Sequence, residues 1–458
     1  MDTSATAPAR PQRGDELDLR IDSLAYGGAG VARIGGYVVF VRDAVPGDRV
    51  RAVVTKRKRA YAEARSIEIV EPSPERVPPV ADHPGAPWQV LPYERQLEIK
   101  SEQVDDALRR IGKLDGFELE PIVPAVEQWR YRNKLEFSFG TGDDGQLVCG
   151  FHAPGSWERI VHIEDCLLQS ERGNEARRAA LRWCREKGLG AYDRRTSEGL
   201  LRNLVVREGR RTGELQVRLV TSPQDVDLTG FAEAVGVDSV LWTRAAGVAE
   251  TTVGGETEVL HGIEAIDEEL ATGVGDALRF RISAEAFFQT NTEMAERLYG
   301  TAAEFAGLKG WERVYDLFCG IGTIGLTLAP RAGEVWGLDI VEEAIADAIA
   351  NARANEIDNA RFFAGDVRLA MRELVERAGR PDVLVVDPPR AGLSAKVVRR
   401  VIEASPARIV YVSCNPTTLA PNAAQLVEAG YALRRVRPFD LFPQTPHIEC
   451  VALLERAS

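Results

Sequence analysis

Residues 314–329 read VYDLFCGIGTIGLTLA: an apolar strand, a turn built on Gly320 and Gly322, and the start of a helix. Glycines between a strand and a helix let the backbone turn close to a ligand. Downstream come VWGLDI, a helical stretch, RFFAGD, another helix, VLVVDPP, another helix and RIVYVSC. A helix, YALRRVRPFD and a last strand, IECVALLE, complete the series. Strands alternating with helices predict an open, doubly wound (Rossmann-like) α/β sheet from residue 278 onward. Its ligand crevice is expected outside the carboxyl ends of the strands.

Upstream the character differs. Residues 14–72 alternate as short strands, with LDLRI, GGYVVFV and VRAVV among them, and Gly27, Gly28, Gly30, Gly35 and Gly36 punctuate the early hairpins. Five short strands in about sixty residues predict a small OB-like β-barrel, an architecture that often binds oligonucleotides but serves equally as an adaptor. EPSPERVPPVADHPGAP (71–87) is a proline-dense connector, and apolar spacing predicts a helix over 94–111. From about 126 to 277 strands such as KLEFSFG and LQVRLVT mix with a helix at 170–187, which reads as a less regular α+β domain.

The chain has 458 residues and a formal net charge of −12, which argues mildly against a nucleic-acid protein. Two local stripes run the other way. RVRAVVTKRKRAYAEAR (49–65) carries seven basic residues against one acid, and RYRNK (130–134) follows Trp129. Either could meet phosphate or be a solvated strand face. No 18-residue uncharged apolar run suggests a membrane span, and MDTSATAPARPQRGDE reads as a frayed tail over 1–13 rather than a signal peptide. Six scattered cysteines without Cys-x-x-Cys, and five unclustered histidines, suit neither a disulfide framework nor structural zinc. A reduced, cytoplasmic protein is the simpler reading, with a monomer as default.

The strand ends carry the chemistry. Asp339 closes the second strand, where a carboxylate accepts from ribose hydroxyls; nicotinamide enzymes share that device. The fourth strand ends in Asp387-Pro388-Pro389-Arg390, a rigid shelf with a carboxylate over the crevice, unless Asp387 only caps a helix. Beside it the fifth strand ends in Cys414, followed by Asn-Pro. Most cysteines are buried hydrophobes, and Cys319 and Cys450 are assigned to packing. A reactive thiol needs partial exposure and a field that favours thiolate. Such a thiol could add to C6 of a uracil and make C5 nucleophilic toward a methyl sulfonium, provided that a base then removes the C5 proton. PFDLFPQTPHIEC (438–450) offers Glu449 for this, or else His447. AFFQTN (286–291) adds the Gln289 amide, with Phe287 and Phe288 as stacking candidates.

Taken together, FFQTN, DLFCGIGTIG, VWGLDIVEEAIADAIANARAN, DPPRAG, YVSCNPTTLA and PFDLFPQTPHIE resemble the S-adenosylmethionine-dependent RNA (uracil-C5)-methyltransferases. GGAGVARIGGYVVFVRDAVPGDRVRAVVTKRKRAYAEA looks like the family's N-terminal barrel, TRAM. The resemblance covers the whole chain. It implies a class I methyltransferase domain at 94–122 and 278–458, a central domain at 73–93 and 123–277, and the TRAM barrel at 14–72. Cys414 would be the nucleophile and Glu449 the proton acceptor. Gln289, Phe318, Thr323, Asp339 and Asp387 stand where the family contacts cofactor, with Asp366 as an addition; Asp387, Gln289 and Phe287 would also meet the substrate. Position 323 is often asparagine in the family and 339 often glutamate. The barrel accompanies the rRNA-modifying members, so 23S rRNA is the expected partner. The alternatives are the tRNA T-loop or a non-catalytic RNA-binding or ribosome-assembly factor. Many rRNA members hold a [4Fe–4S] cluster before a WQxLPY-like segment. Here that segment is WQVLPY (88–93), and the ligand positions appear as Val77, His83 and Ala86, leaving only Cys166. Valine and alanine cannot ligate iron, so no cluster is expected.

Overall fold

The computed structural model describes residues 10–247, 252 and 254–457. Most of the expected tail, up to residue 9, lies outside the described residues. No helix among the described residues is long and apolar enough to cross a membrane.

The sheet expected from residue 278 onward forms from seven strands, here β1 (Arg313–Leu317), β2 (Glu334–Asp339), β3 (Ala360–Ala364), β4 (Val383–Val386), β5 (Arg408–Ser413), β6 (Tyr431–Phe439) and β7 (Glu449–Arg456). Their order is β3-β2-β1-β4-β5-β7-β6, parallel except for β7, which runs antiparallel to both neighbours. Helices cover both faces, so the central strands bury both of theirs. That is why VLVV of β4 is continuously apolar and fully buried rather than alternating.

An eighth strand, Glu118–Leu119, pairs in parallel with β6. It follows the early helix, which is α-helical over Tyr93–Asp106 and widens into a π turn over Ala107–Ile111. This turn packs on the helix Pro416–Glu428 at Gly112, where a Cβ would sit 3.0 Å from the Ala420 carbonyl oxygen. The early helix therefore belongs in space to the C-terminal sheet.

The barrel has six strands rather than five, ordered along the sheet as Glu16–Arg20, Arg49–Arg57, Tyr61–Glu71, Tyr37–Arg42, Gly30–Ile34 and Ser23–Leu24. The extra strand, Ser23–Leu24, is two residues long and too short to leave an alternating signature. The barrel interior is filled by small side chains, Val39, Val41, Val50, Ala52 and Ala62 among them. Between barrel and C-terminal domain lies a seven-stranded mixed sheet packed on the helix Glu171–Glu186. The hairpin Ile266–Leu270 with Leu278–Ile282 straddles the expected boundary at 277. Its second strand is tied to the C-terminal domain, because Arg281 and Arg279 donate backbone N–H bonds to Asn351 and Asn355.

The basic stripe at 49–65 is less available than its composition suggests. Arg49 pairs with Asp18 and Glu71, Arg51 with Glu68, and Lys56 with Glu63, all on neighbouring strands. In RYRNK, Arg130 pairs with Asp165, Lys134 with Glu136, and Arg132 lies over the Phe442 ring. Cross-strand acids, invisible in a linear charge count, thus offset Arg49, Arg51 and Lys56, three of the seven basic residues of the first stripe.

Candidate active site

The first βα turn makes the crevice floor. Phe318 adopts φ +64°, a left-handed conformation unusual for a residue with a side chain, so the chain doubles back after β1. Gly320 (φ +53°) has open space where a Cβ would stand, and Gly322 (φ +85°) presses against the Phe362 ring. Asp316, fully buried in β1, accepts from the Gly325 N–H at 2.8 Å and ties strand to helix; burial pushes its carboxyl up to about 8. Thr323 opens that helix and its hydroxyl donates to the Tyr299 hydroxyl at 3.3 Å.

Asp339 ends β2 with one carboxylate oxygen accepting from the Gly320 N–H and the other from the Val341 N–H, each at 3.0 Å. Beyond it Ile340 is 64% exposed, and the partly exposed Phe363 stacks on Trp336. Exposed apolar side chains at strand ends, next to a carboxylate and an uncrowded glycine turn, suit the flat base and the polar ribose of an adenosyl group. Asp366 caps the helix Val367–Ala378 and is paired with Arg368, which holds its carboxyl low.

The second cluster lies where β4, β5 and β7 end. Of the six cysteines, five are buried and Cys414 alone is partly exposed. It follows the last residue of β5, outside the ladder. Asn415 then caps the next helix, accepting from the Thr417 N–H at 3.0 Å while its amide donates to the Arg390 carbonyl at 3.0 Å. Pro416 takes the first helical position, where a missing N–H costs nothing. The Asn-Pro after the thiol thus locks the Cys414 turn to the Asp387–Arg390 shelf.

Glu449, 3% exposed, begins β7. The register pairs Ser413 with Cys450, so Cys414 and Glu449 emerge from the ladder side by side. Burial, reinforced by Asp387, raises the Glu449 carboxyl well above its ordinary value. Burial lifts Asp387 to about 7. It also pushes the Cys414 thiol up to about 12, with Glu449 and Asp387 adding to the rise and Arg390 opposing it. Burial is the main cause, so the site holds the resting thiol in its protonated form rather than supplying the thiolate-favouring field that a reactive cysteine needs. His447, against Phe442 and pushed down to about 4 by burial, is a weak base.

The loop leading to Glu449 is clamped from the early helix. Lys100 and Asp440, both fully buried, form an ion pair at 2.5 Å, and Gln96 exchanges two hydrogen bonds with Gln444. Asn291 of FFQTN caps the helix Thr292–Ala306 and its amide donates to the Leu441 carbonyl at 2.9 Å. Gln289 is buried, with its carbonyl accepting from Asn133. The two phenylalanines before it divide: Phe287 is 68% exposed, whereas Phe288 turns into the core against Phe280 and is no stacking surface. Sequence reading missed Tyr299, Lys100 and Tyr26; the last comes from the barrel, and its hydroxyl donates to the Cys414 carbonyl at 2.8 Å. No motif marks these three, because each acts through a partner distant in the chain.

Around WQVLPY, His83 Nε2 lies 3.2 Å from Cys166 Sγ, Ala86 is buried and Val77 is partly exposed. Among the described residues no three or more His, Cys, Asp or Glu side chains gather as a metal-ligand set.

Two family models match the chain. Residues 254–457 match the tRNA (Uracil-5-)-methyltransferase family model and residues 10–67 the TRAM domain. An RNA methyltransferase of Halalkalibacterium halodurans, itself uncharacterized, is 39% identical over 97% of both chains. The chain belongs to the S-adenosylmethionine-dependent RNA (uracil-C5)-methyltransferase family. A second uncharacterized RNA methyltransferase of this kind, from Bacteroides thetaiotaomicron, is also 39% identical, over 94% of this chain and all of its own. The tRNA (uracil-54, C5)-methyltransferase of Pyrococcus abyssi, solved with S-adenosyl-L-homocysteine, superposes with a TM-score of 0.76 at 30% identity, covering 96% of this chain and all of its own. That coverage takes in the barrel, so the TRAM domain does not by itself separate rRNA-modifying from tRNA-modifying uracil-C5 methyltransferases. Use of S-adenosylmethionine and methylation of RNA uracil at C5 follow from membership.

Proposed function

We propose that the enzyme methylates a uridine through a covalent bond between Cys414 and C6, and that the uridine lies in the T-loop of tRNA. The carrying observation is the shared end of β5 and β7, where a partly exposed thiol meets the Glu449 carboxyl and the Asp387 shelf. The tRNA reading rests on the Pyrococcus abyssi relative, which matches along nearly the whole chain.

S-adenosylmethionine, when bound against Phe318, Thr323 and Asp339, supplies an electrophilic methyl group above the crevice. The remaining chemistry belongs to this chain. Cys414 Sγ adds to C6 as its proton passes to Asp387, whose carboxyl near 7 can accept it at neutral pH. The C5–C6 electron pair moves to C5, which would take the methyl group as the methyl–sulfur bond of the bound sulfonium breaks and its electrons stay on sulfur. Glu449, once ionised, then takes the C5 proton, the S–C6 bond breaks with its electrons returning to sulfur, and Asp387 restores the thiol proton. Gln289 and Asp387 orient the base, and exposed Phe287 offers it a stacking face. A thiol kept protonated at rest limits side reactions with other electrophiles.

Mapping 5-methyluridine in tRNA and 23S rRNA from a deletion strain tests the substrate: loss from the T-loop is the expected result, and loss confined to rRNA would reverse the assignment. A 5-fluorouridine RNA, which cannot release its C5 substituent as a proton, should trap a covalent adduct on Cys414. No adduct on the wild-type enzyme would remove the mechanism.

A further inference from the structure

A residue of the barrel reaches the thiol turn. Tyr26 lies in the loop between the barrel strands Ser23–Leu24 and Gly30–Ile34, and its hydroxyl donates to the Cys414 carbonyl at 2.8 Å, across 388 residues of sequence. The contact is built, not incidental. Two residues on, Gly28 sits at φ +88° with so little room that a Cβ would stand 3.1 Å from Pro446 and 3.2 Å from the Trp88 indole nitrogen. Leu24 packs with Trp88, Leu91 and Ile99, and its carbonyl accepts from Gln103 of the early helix at 3.0 Å. The same hairpin therefore touches the thiol turn, the loop that leads to Glu449 and the helix that clamps that loop.

Cys414 falls between two regular elements, one residue past β5 and one before the cap of the next helix. Neither the β-ladder nor the helix fixes its peptide group. A phenol that anchors its carbonyl limits rotation of the peptide carrying the thiol, and positioning errors of a fraction of an ångström are costly for a nucleophile. Tyr26 is partly buried, and burial, then Cys414 and then Glu449 raise its hydroxyl to about 12, so it stays a donor throughout the neutral range.

We propose that Tyr26 is a positioning residue for the nucleophile, making the TRAM barrel a structural part of the active site as well as a surface for RNA. The proposal rests on Cys414 being the nucleophile. Tyr26→Phe keeps the ring and removes the donor. In the full-length enzyme with saturating RNA and cofactor, kcat should fall about three- to tenfold, as the loss of one hydrogen bond allows, while KM for RNA stays within about twofold. Iodoacetamide labelling of Cys414 without RNA, followed by peptide mass spectrometry, should change in rate as well. Tyr37→Phe removes another barrel phenol, one that donates to the Lys58 carbonyl at 2.7 Å away from the thiol turn, and should leave kcat at the wild-type value. An unchanged kcat in Tyr26→Phe, a rise in KM alone, or an equal loss in Tyr37→Phe would each overturn the proposal. Cys414→Ala separates the two readings. If it is inactive while Tyr26→Phe is normal, only the positioning role fails; if it turns over normally, the covalent mechanism fails with it.

Discussion

Cys414 and Glu449 stand next to each other because Ser413 pairs with Cys450 across the antiparallel β5–β7 ladder. An antiparallel last strand in an otherwise parallel sheet is what makes this possible. It brings the start of β7 to the sheet edge where the parallel strands end, so a carboxylate from the far end of the chain meets the thiol.

The first prediction concerns that thiol. With the Cys414 group held at about 12, iodoacetamide should modify it slowly at neutral pH, and the rate should climb about tenfold per unit toward alkaline pH. A plateau near pH 8, read by labelling kinetics, would contradict the field described here. Cys414→Ser should lose both the 5-fluorouridine adduct and turnover.

Asp387 should be costly to stability and necessary to activity. Its folded-state value of about 7 lies above the ordinary carboxyl value, so the unfolded chain ionises first as pH rises. Stability conferred by the protonated group is full below about pH 4 and falls between about 4 and 7. Asp387→Asn should therefore be more stable than wild type at pH 8, by about 1–3 kcal/mol, and no more stable at pH 4. Denaturant unfolding at both pH values checks this, and methyl transfer should be lost in the same variant.

The Lys100–Asp440 pair should matter to the loop of Glu449. Both side chains are fully buried, so removing one leaves the other without its counter-charge. Lys100→Ala should cost about 3–5 kcal/mol, whereas replacing both with apolar side chains should cost far less. Thermal unfolding of the single and double variants reads the difference.

Iron should not accumulate at the WQVLPY segment. His83 and Cys166 meet, but Val77 and Ala86 contribute no ligand. Anaerobic purification followed by iron and sulfide analysis should find well under the four irons of a cluster. Cys166→Ala should keep its methyltransferase activity.

The strands and helices of the C-terminal domain are legible in the sequence because their signals are local. Apolar runs of strand length, Gly320 and Gly322 at the turn, and Asn-Pro at a helix start each act over a few residues. Cys414 and Glu449 could be named for the same reason, as residues at strand ends. The barrel's sixth strand was not legible, since two residues carry no period, and Phe288 was misread because exposure of adjacent side chains depends on what packs above them.

By itself, then, the sequence determined the doubly wound domain, the barrel, the glycine turn and the residues able to do the chemistry. Only the tertiary structure decided how those residues behave. Long-range pairing set the charge left on the barrel, burial set the proton on Cys414, and docking brought Tyr26 to a carbonyl 388 residues away. Spacing along a chain encodes local conformation, whereas electric field and contact depend on which distant atoms exclude water from the same place.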